Sequence, residues 1–210
     1  MSLEKFSNKN KIENKISVSD KLLIMYEKAP EAKIYIDKLA EYIANKYHGL
    51  VLKTELKSFE ESLHKIKTKG DEYIDKIIDI ARNTVIVDKE NILEAYQDLS
   101  LNDELINKYR IKKKDMPISG YIGAYFRIKC PNGLIAEIQL STPEMIVAKE
   151  EKTISEKILG KEKYKEIIKK AGVEGGLGHK IYAKLRNLKE DTKEYQDLSE
   201  ISRKYYEHFY

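Results

Sequence analysis

Cysteine occurs once in the 210 residues, at Cys130, which excludes an internal disulfide and any cysteine-based zinc cluster. Long apolar runs are also missing. Those at 22–25 and 85–87 are core-sized, far short of the roughly 18–20 residues that a spanning helix needs. No membrane partner is therefore expected. Residues 1–15 are rich in Lys, Asn and Ser and hold no apolar stretch like a secretion signal, so the chain is read as acting in the cytoplasm. Charge of one sign is in small excess only. Against 35 acidic residues stand 39 Lys and Arg, and the resulting +4 gives no ground for duplex-DNA binding. No recognisable DNA-binding motif is present either.

What is there suits one α/β core with a helical appendage: 41% of residues are hydrophobic and 35% are charged. Residues 1–16 read as a mobile lead-in and 17–49 as N-terminal helices. Ser17 or Ser19 caps the first helix, Pro30 ends it or starts the next, and Gly49 closes the pair. A strand is expected over 50–56, a helix over 58–69, a further helix over 71–78, a β-branched strand over 83–87 and a helix over 90–99. Residues 106–112 are a further strand candidate. They overlap a basic run, Lys108, Arg110, Lys112, Lys113 and Lys114, which is either a solvated segment or a phosphate contact. After Thr142 and Pro143 the chain is expected to be helical over 144–158, 161–171, 177–188 and 195–209. The class is α+β, a mixed sheet of about five strands flanked by helices.

The hairpin at the centre is the most legible part. Residues 121–129 and 134–140 alternate in polarity around Pro131-Asn132-Gly133, a turn in which Gly133 can take a positive φ. A three-residue loop pairs Cys130 with Leu134, hence Arg127 with Glu137 and Tyr125 with Gln139. One face is then apolar. The other carries Tyr125, Arg127, Glu137 and Gln139, and a cross-strand ion pair between Arg127 and Glu137 is expected.

Five segments then fall in an order that resembles the synthetase domain of RelA/SpoT proteins. Residues 79–87, Asp-Ile-Ala-Arg-Asn-Thr-Val-Ile-Val, resemble the strand that opens with a metal-binding aspartate. Residues 120–125, Gly-Tyr-Ile-Gly-Ala-Tyr, resemble the loop whose tyrosine stacks on the acceptor base. Residues 137–142, Glu-Ile-Gln-Leu-Ser-Thr, resemble the strand with the catalytic glutamate. Lys57-Ser58 with Lys65 resembles the helix that holds the ATP phosphates, and 178–182 with Arg186 resembles the distal His-x-x-Tyr helix. The likeness covers about 50–186, and the synthetase-like domain is set at 50–188, followed by a C-terminal helix over 189–210.

This resemblance implies a nucleotidyltransferase-like fold and transfer of pyrophosphate from ATP to a nucleotide hydroxyl. Asp79 and Glu137 would hold Mg²⁺, with Glu137 also the general base. Lys57, Lys65, Arg82, Lys112 and Lys114 would meet phosphates; Tyr121, Tyr125, Arg127, Gln139 and His179 complete the nucleotide-binding set. Departures from the usual pattern resemble the divergent, phage- and toxin-associated branch. Tyr125 stands where a histidine is usual, Ser141 where an arginine is, and Glu55 and Glu61 where Arg and Ser are. The acceptor is left open between GDP or GTP, an adenine nucleotide and the 3′ end of a tRNA. A neutralising partner protein and delivery as a toxin belong to the same expectation. The competing class is a nucleotide-binding module that has lost catalysis.

Overall fold

A computed structural model describes residues 17–101 and 120–210. The expected strand at 106–112, the basic run with Lys112 and Lys114, and the lead-in at 1–16 lie outside the described residues.

The first 29 described helical residues form one helix, α1 (Val18–Lys46), capped by Ser17, whose hydroxyl accepts from the Asp20 amide. Pro30 sits inside it and does not divide it, contrary to the sequence expectation. An interior proline costs about 3 kcal/mol. Leu22, Ala29, Ala32, Ile36, Leu39, Ala40 and Ile43 continue one buried stripe on both sides of it. Burying side chains the size of Leu22, Ile36 and Ile43 contributes about 1.5–3 kcal/mol each. Packing therefore outweighs the local break.

A strand, β1 (Leu50–Lys53), leads to α2 (Phe59–Lys69), a 3₁₀ turn (Asp71–Lys76) and β2 (Arg82–Ile86). β1 is shorter than expected because the chain leaves the sheet at Thr54, whose hydroxyl donates to the Arg82 carbonyl at 2.7 Å. Lys57 N then donates to Ile80 O at 2.9 Å, which holds residues 54–58 against the approach to β2. After α3 (Ile92–Leu101) comes the hairpin of β3 (Ala124–Lys129) and β4 (Ile135–Ser141). The sheet order is β1-β2-β4-β3, with β2 and β4 parallel and the outer pairs antiparallel. The mixed α+β sheet is as expected, with four strands among the described residues. The hairpin register also holds: Arg127 opposes Glu137, Tyr125 opposes Gln139, and Gly133 has φ +84°.

Alternation separates the two faces of this sheet. Val85, Phe126, Ile128, Ala136, Ile138 and Leu140 join one buried core with residues of α1 and α3. Tyr96 of α3 lies 5.6 Å from the Phe126 ring, centroid to centroid. Asn83, on this face, donates to Asp37 of α1 at 2.7 Å and accepts from Lys33 at 3.0 Å. The opposite face presents Arg82, Thr84, Glu137, Gln139, Tyr125 and Arg127.

The C-terminal helices are α4 (Pro143–Lys149), α5 (Lys152–Leu159), α6 (Lys161–Ala171), α7 (Leu177–Leu185) and α8 (Lys193–Glu207). The single helix expected over 144–158 breaks after Lys149, and tertiary partners explain the break. The carbonyls of Val147 and Ala148, which a continued helix would use four residues on, accept instead from Gly176 N at 3.0 Å and the Tyr205 hydroxyl at 2.9 Å. These helices share a second core of Met145, Val147, Tyr164, Ile167, Tyr205, Tyr206 and Phe209. None of the described helices is long and apolar enough to cross a membrane.

Candidate active site

The parallel pairing of β2 with β4 sets Arg82 directly opposite Glu137, and Glu137 N donates to Ala81 O at 3.0 Å. Asp79 lies three residues before Arg82, at the entry to β2. Beside it opens a cleft of about 420 Å³ lined by Glu55, Leu56, Lys57, Ser58, Glu61, Asp79 and Arg82. That size falls within the roughly 300–1,000 Å³ typical of small-molecule sites.

Asp79 is not alone in the cleft wall. Lys57 donates to its Oδ2 at 2.7 Å and Lys65 donates to the same oxygen at 3.0 Å. The side chains of Lys57 and Asp79 are only 14% and 19% exposed. Burial alone would raise the Asp79 carboxyl, but the two lysine hydrogen bonds outweigh it and hold the group below the ordinary aspartate range. The lysines are placed by the local fold. Ser58 caps α2 by accepting from Glu61 N at 3.1 Å, which fixes the helix carrying Lys65. The Tyr26 hydroxyl from α1 lies 2.9 Å from Lys57 O and 2.7 Å from Ser58 O, which pins the loop carrying Lys57.

Glu137 is half-buried and does not line that cleft; it stands on the adjoining strand. The ion pair expected between Arg127 and Glu137 is absent among the described residues. Cross-strand register brings their backbones together, but Glu137 Oε1 accepts instead from Gln139 Nε2 at 2.7 Å. Gln139 is buried and in turn accepts from Thr84 Oγ1 at 3.4 Å. The amide of Gln139 is thus committed to the carboxylate it was expected to accompany at the nucleotide. Thr84 was missed in the sequence. Its signal is the two-residue spacing from Arg82, which puts it on the polar face.

Tyr121 is held from two sides. Its hydroxyl lies 3.2 Å from Ser141 Oγ, and its ring meets Tyr206 edge-on at 5.7 Å between centroids. Tyr125 keeps its phenol well above the usual tyrosine range, chiefly through burial, with Tyr121 and Glu137 adding to the effect. His179 is exposed on α7, as is Tyr182. Asp79, Lys57, Lys65, Arg82 and Glu137 are thus gathered at one end of β2 and β4. Tyr121 and Tyr125 belong to the side bordered by Tyr182 of α7 and Tyr206 of α8.

For Mg²⁺ the expected pair is Asp79 in the cleft wall and Glu137 on the adjoining strand, while Glu55 and Glu61 line the same cleft as Asp79. Among the described residues no group of three or more His, Cys, Asp or Glu is arranged to hold a metal ion. Two carboxylates suit a cation that keeps its waters and takes its remaining ligands from substrate phosphates, the usual manner of Mg²⁺. The donor set fits that case and not a resident, all-protein site.

The Type VI effector Tas1, in the crystal structure of its complex with its immunity protein, matches this fold with a TM-score of 0.78 and 37% identity, over 90% of this chain and 95% of that chain. The chain belongs to the Tas1 family. Full-length Tas1 of Pseudomonas aeruginosa (strain UCBPP-PA14), named a (p)ppApp synthetase toxin, is 37% identical over 185 residues. That alignment takes in 87% of this chain and 41% of Tas1, so the chain spans about two-fifths of that protein's length. Small alarmone synthetase 2 of Bacillus subtilis aligns over 90% of this chain and 93% of that one at 24% identity, with a TM-score of 0.43, too slight to bear on the chemistry. No family model matches the chain. Kinship with Tas1 agrees with the toxin-like branch that the departures at Tyr125 and Ser141 indicated.

Proposed function

We propose that the protein transfers the β,γ-pyrophosphate of ATP to the 3′-hydroxyl of an adenine nucleotide, making a (p)ppApp-like product and AMP. The observation that carries this reading is the register that sets Arg82 opposite Glu137 beside the Asp79 cleft. Arg82 could then meet a polyphosphate while Glu137, on the neighbouring strand, takes a hydroxyl proton. Kinship with a protein named a (p)ppApp synthetase toxin favours adenine over guanine nucleotides as acceptor.

Lys57, Lys65 and Arg82 would hold the phosphates by charge-assisted hydrogen bonds. The acceptor oxygen bonds to the β-phosphorus while the bond from that phosphorus to the α,β-bridging oxygen breaks, and AMP leaves. The acceptor proton passes to Glu137, which Gln139 orients. Mg²⁺, held by Asp79 and Glu137, would supply positive charge to the phosphate oxygens. Little else is asked of the protein, because such transfers depend on positioning and on neutralised charge. Tyr125, Arg127 and the exposed His179 would meet the acceptor.

By kinship with an effector crystallised with an immunity protein, the proposal extends to delivery into a target cell's cytoplasm and to neutralisation by a dedicated partner. The test is incubation with ATP labelled in its β and γ phosphates against AMP, ADP, ATP, GDP, GTP and deacylated tRNA. Label is expected on adenine nucleotides with matching AMP release. Label on guanine nucleotides or tRNA would reassign the acceptor. Folded protein that releases no AMP with any acceptor would overturn the reading.

A further inference from the structure

We propose that Lys57 and Lys65 clamp Asp79 shut against a free divalent cation, and that a polyphosphate is the ligand that opens the clamp. The inference rests on the pyrophosphate-transfer reading and adds how its ligands arrive: as a metal–polyphosphate complex and not as metal first.

Both ammonium groups reach one oxygen, Oδ2, at 2.7 and 3.0 Å. A carboxylate oxygen has about two lone-pair directions, so both of those at Oδ2 are taken. The three groups come from three separate pieces of chain: the loop after β1, the second turn of α2, and the approach to β2. Lys57 N on Ile80 O ties the loop to the approach to β2, the Ser58 cap fixes the start of α2, and Tyr26 of α1 holds the loop from the other side. The clamp is therefore built into the fold and is not a chance surface pair. With two lysines to one aspartate, the triad carries net positive charge. A lone dication approaching Asp79 Oδ2 meets two ammonium groups of like charge, in surroundings where Lys57 and Asp79 are poorly screened by water.

A polyphosphate reverses each of these terms. Its oxygens accept from the lysines, the exchange of one anion for another leaves the ammonium groups paired, and Oδ2 is released. The carboxylate then faces a cation that the phosphates have brought with them. Among the described residues no group of three or more His, Cys, Asp or Glu could hold a metal ion, in keeping with a cation that depends on substrate oxygens. Cation and polyphosphate must then strengthen each other's binding by the same factor, on the order of 5–150-fold for couplings of this kind.

The test uses Mn²⁺ as the probe, with its free signal read by electron paramagnetic resonance in the absence of nucleotide. Wild type, Lys57→Met, Lys65→Met and the double variant are compared, methionine keeping the apolar stem of each lysine. The double variant is expected to bind Mn²⁺ at least about tenfold more tightly than wild type. Adding Asp79→Asn should remove the gain. Cooperative melting checks each fold, and Lys65→Met, at the more exposed of the two positions, carries the comparison if the double variant does not fold. Equal Mn²⁺ affinities in wild type and folded lysine variants would overturn the clamp. A second arm measures binding of α,β-methylene ATP with Mg²⁺ to wild type. If the analogue fails to bind while the lysine variants still gain affinity for Mn²⁺, the clamp stands as a metal gate and the pyrophosphate-transfer reading falls. If the analogue binds while Mn²⁺ affinities are equal, the reverse holds.

Discussion

Gln139 donates its side-chain amide to Glu137 Oε1 at 2.7 Å, two residues along the same strand and on the same face. Its own carbonyl accepts from Thr84 on β2, so the proposed base is oriented by a hydrogen-bond chain that crosses two strands. A hydrogen bond to a charged group contributes about 1.5–3 kcal/mol. Gln139→Leu should therefore lower AMP release by about 10–100-fold at unchanged fold. Gln139→Glu places two carboxylates in hydrogen-bond reach of each other, and the acid limb of the rate profile should move to higher pH. An unmoved limb, with full activity in both variants, would reduce Gln139 to packing.

Glu137→Gln keeps the strand and the shape and removes the charge. AMP release should fall by about 10²–10⁴, the scale of a lost general base. Near-full activity in the folded variant would show Glu137 to be only a partner for Gln139.

Arg127 makes no ion pair with Glu137 among the described residues, despite sitting opposite it. Arg127→Ala should therefore leave the acid limb of the pH profile in place and raise KM for the acceptor. A profile displaced along the pH axis would mean that the pair forms when substrate is bound.

The Asp79 clamp makes a stability prediction with a definite sign. The folded-state carboxyl is held below its unfolded value of about 3.9 by the two lysines, against the burial that would raise it. Its contribution is fully present above that unfolded value and is lost as pH falls through the lower, folded one. Asp79→Asn should cost about 1–3 kcal/mol at pH 7, and the gap to wild type should close in acid. Denaturant unfolding at pH 7 and at about pH 2 measures both; a gap independent of pH would contradict the pairing.

Gly178 is a packing requirement and not a hinge. A Cβ there would lie 2.0 Å from the Tyr206 hydroxyl oxygen and 3.0 Å from Ala148 O. Gly178→Ala should destabilise by about 1–3 kcal/mol, as overpacking does. Adding Tyr206→Phe, which removes the clashing oxygen, should restore part of the loss in a thermal melt.

Periodicity by itself determined the central hairpin, because a three-residue turn and strict alternation allow one register that keeps the apolar residues together. It likewise announced α2 through Ser58 and α6 through its bounds. The order of motifs was also legible, and kinship with Tas1 agrees with it. Local signals failed where distant partners decide. Pro30 reads as a helix end until the buried stripe on both sides of it is seen to pack on the sheet. The helix after Pro143 reads as unbroken until Gly176 and Tyr205 take its carbonyls. At the site, sequence could name Asp79, Lys57, Lys65, Glu137 and Arg127 but not who pairs with whom. Register fixes backbones to within a residue, whereas an ion pair depends on where long side chains find the nearest partner. Only the tertiary structure put both lysines on one oxygen of Asp79, because that contact joins segments that no local pattern links, and only it chose for Glu137 the same-strand neighbour Gln139 over the cross-strand Arg127.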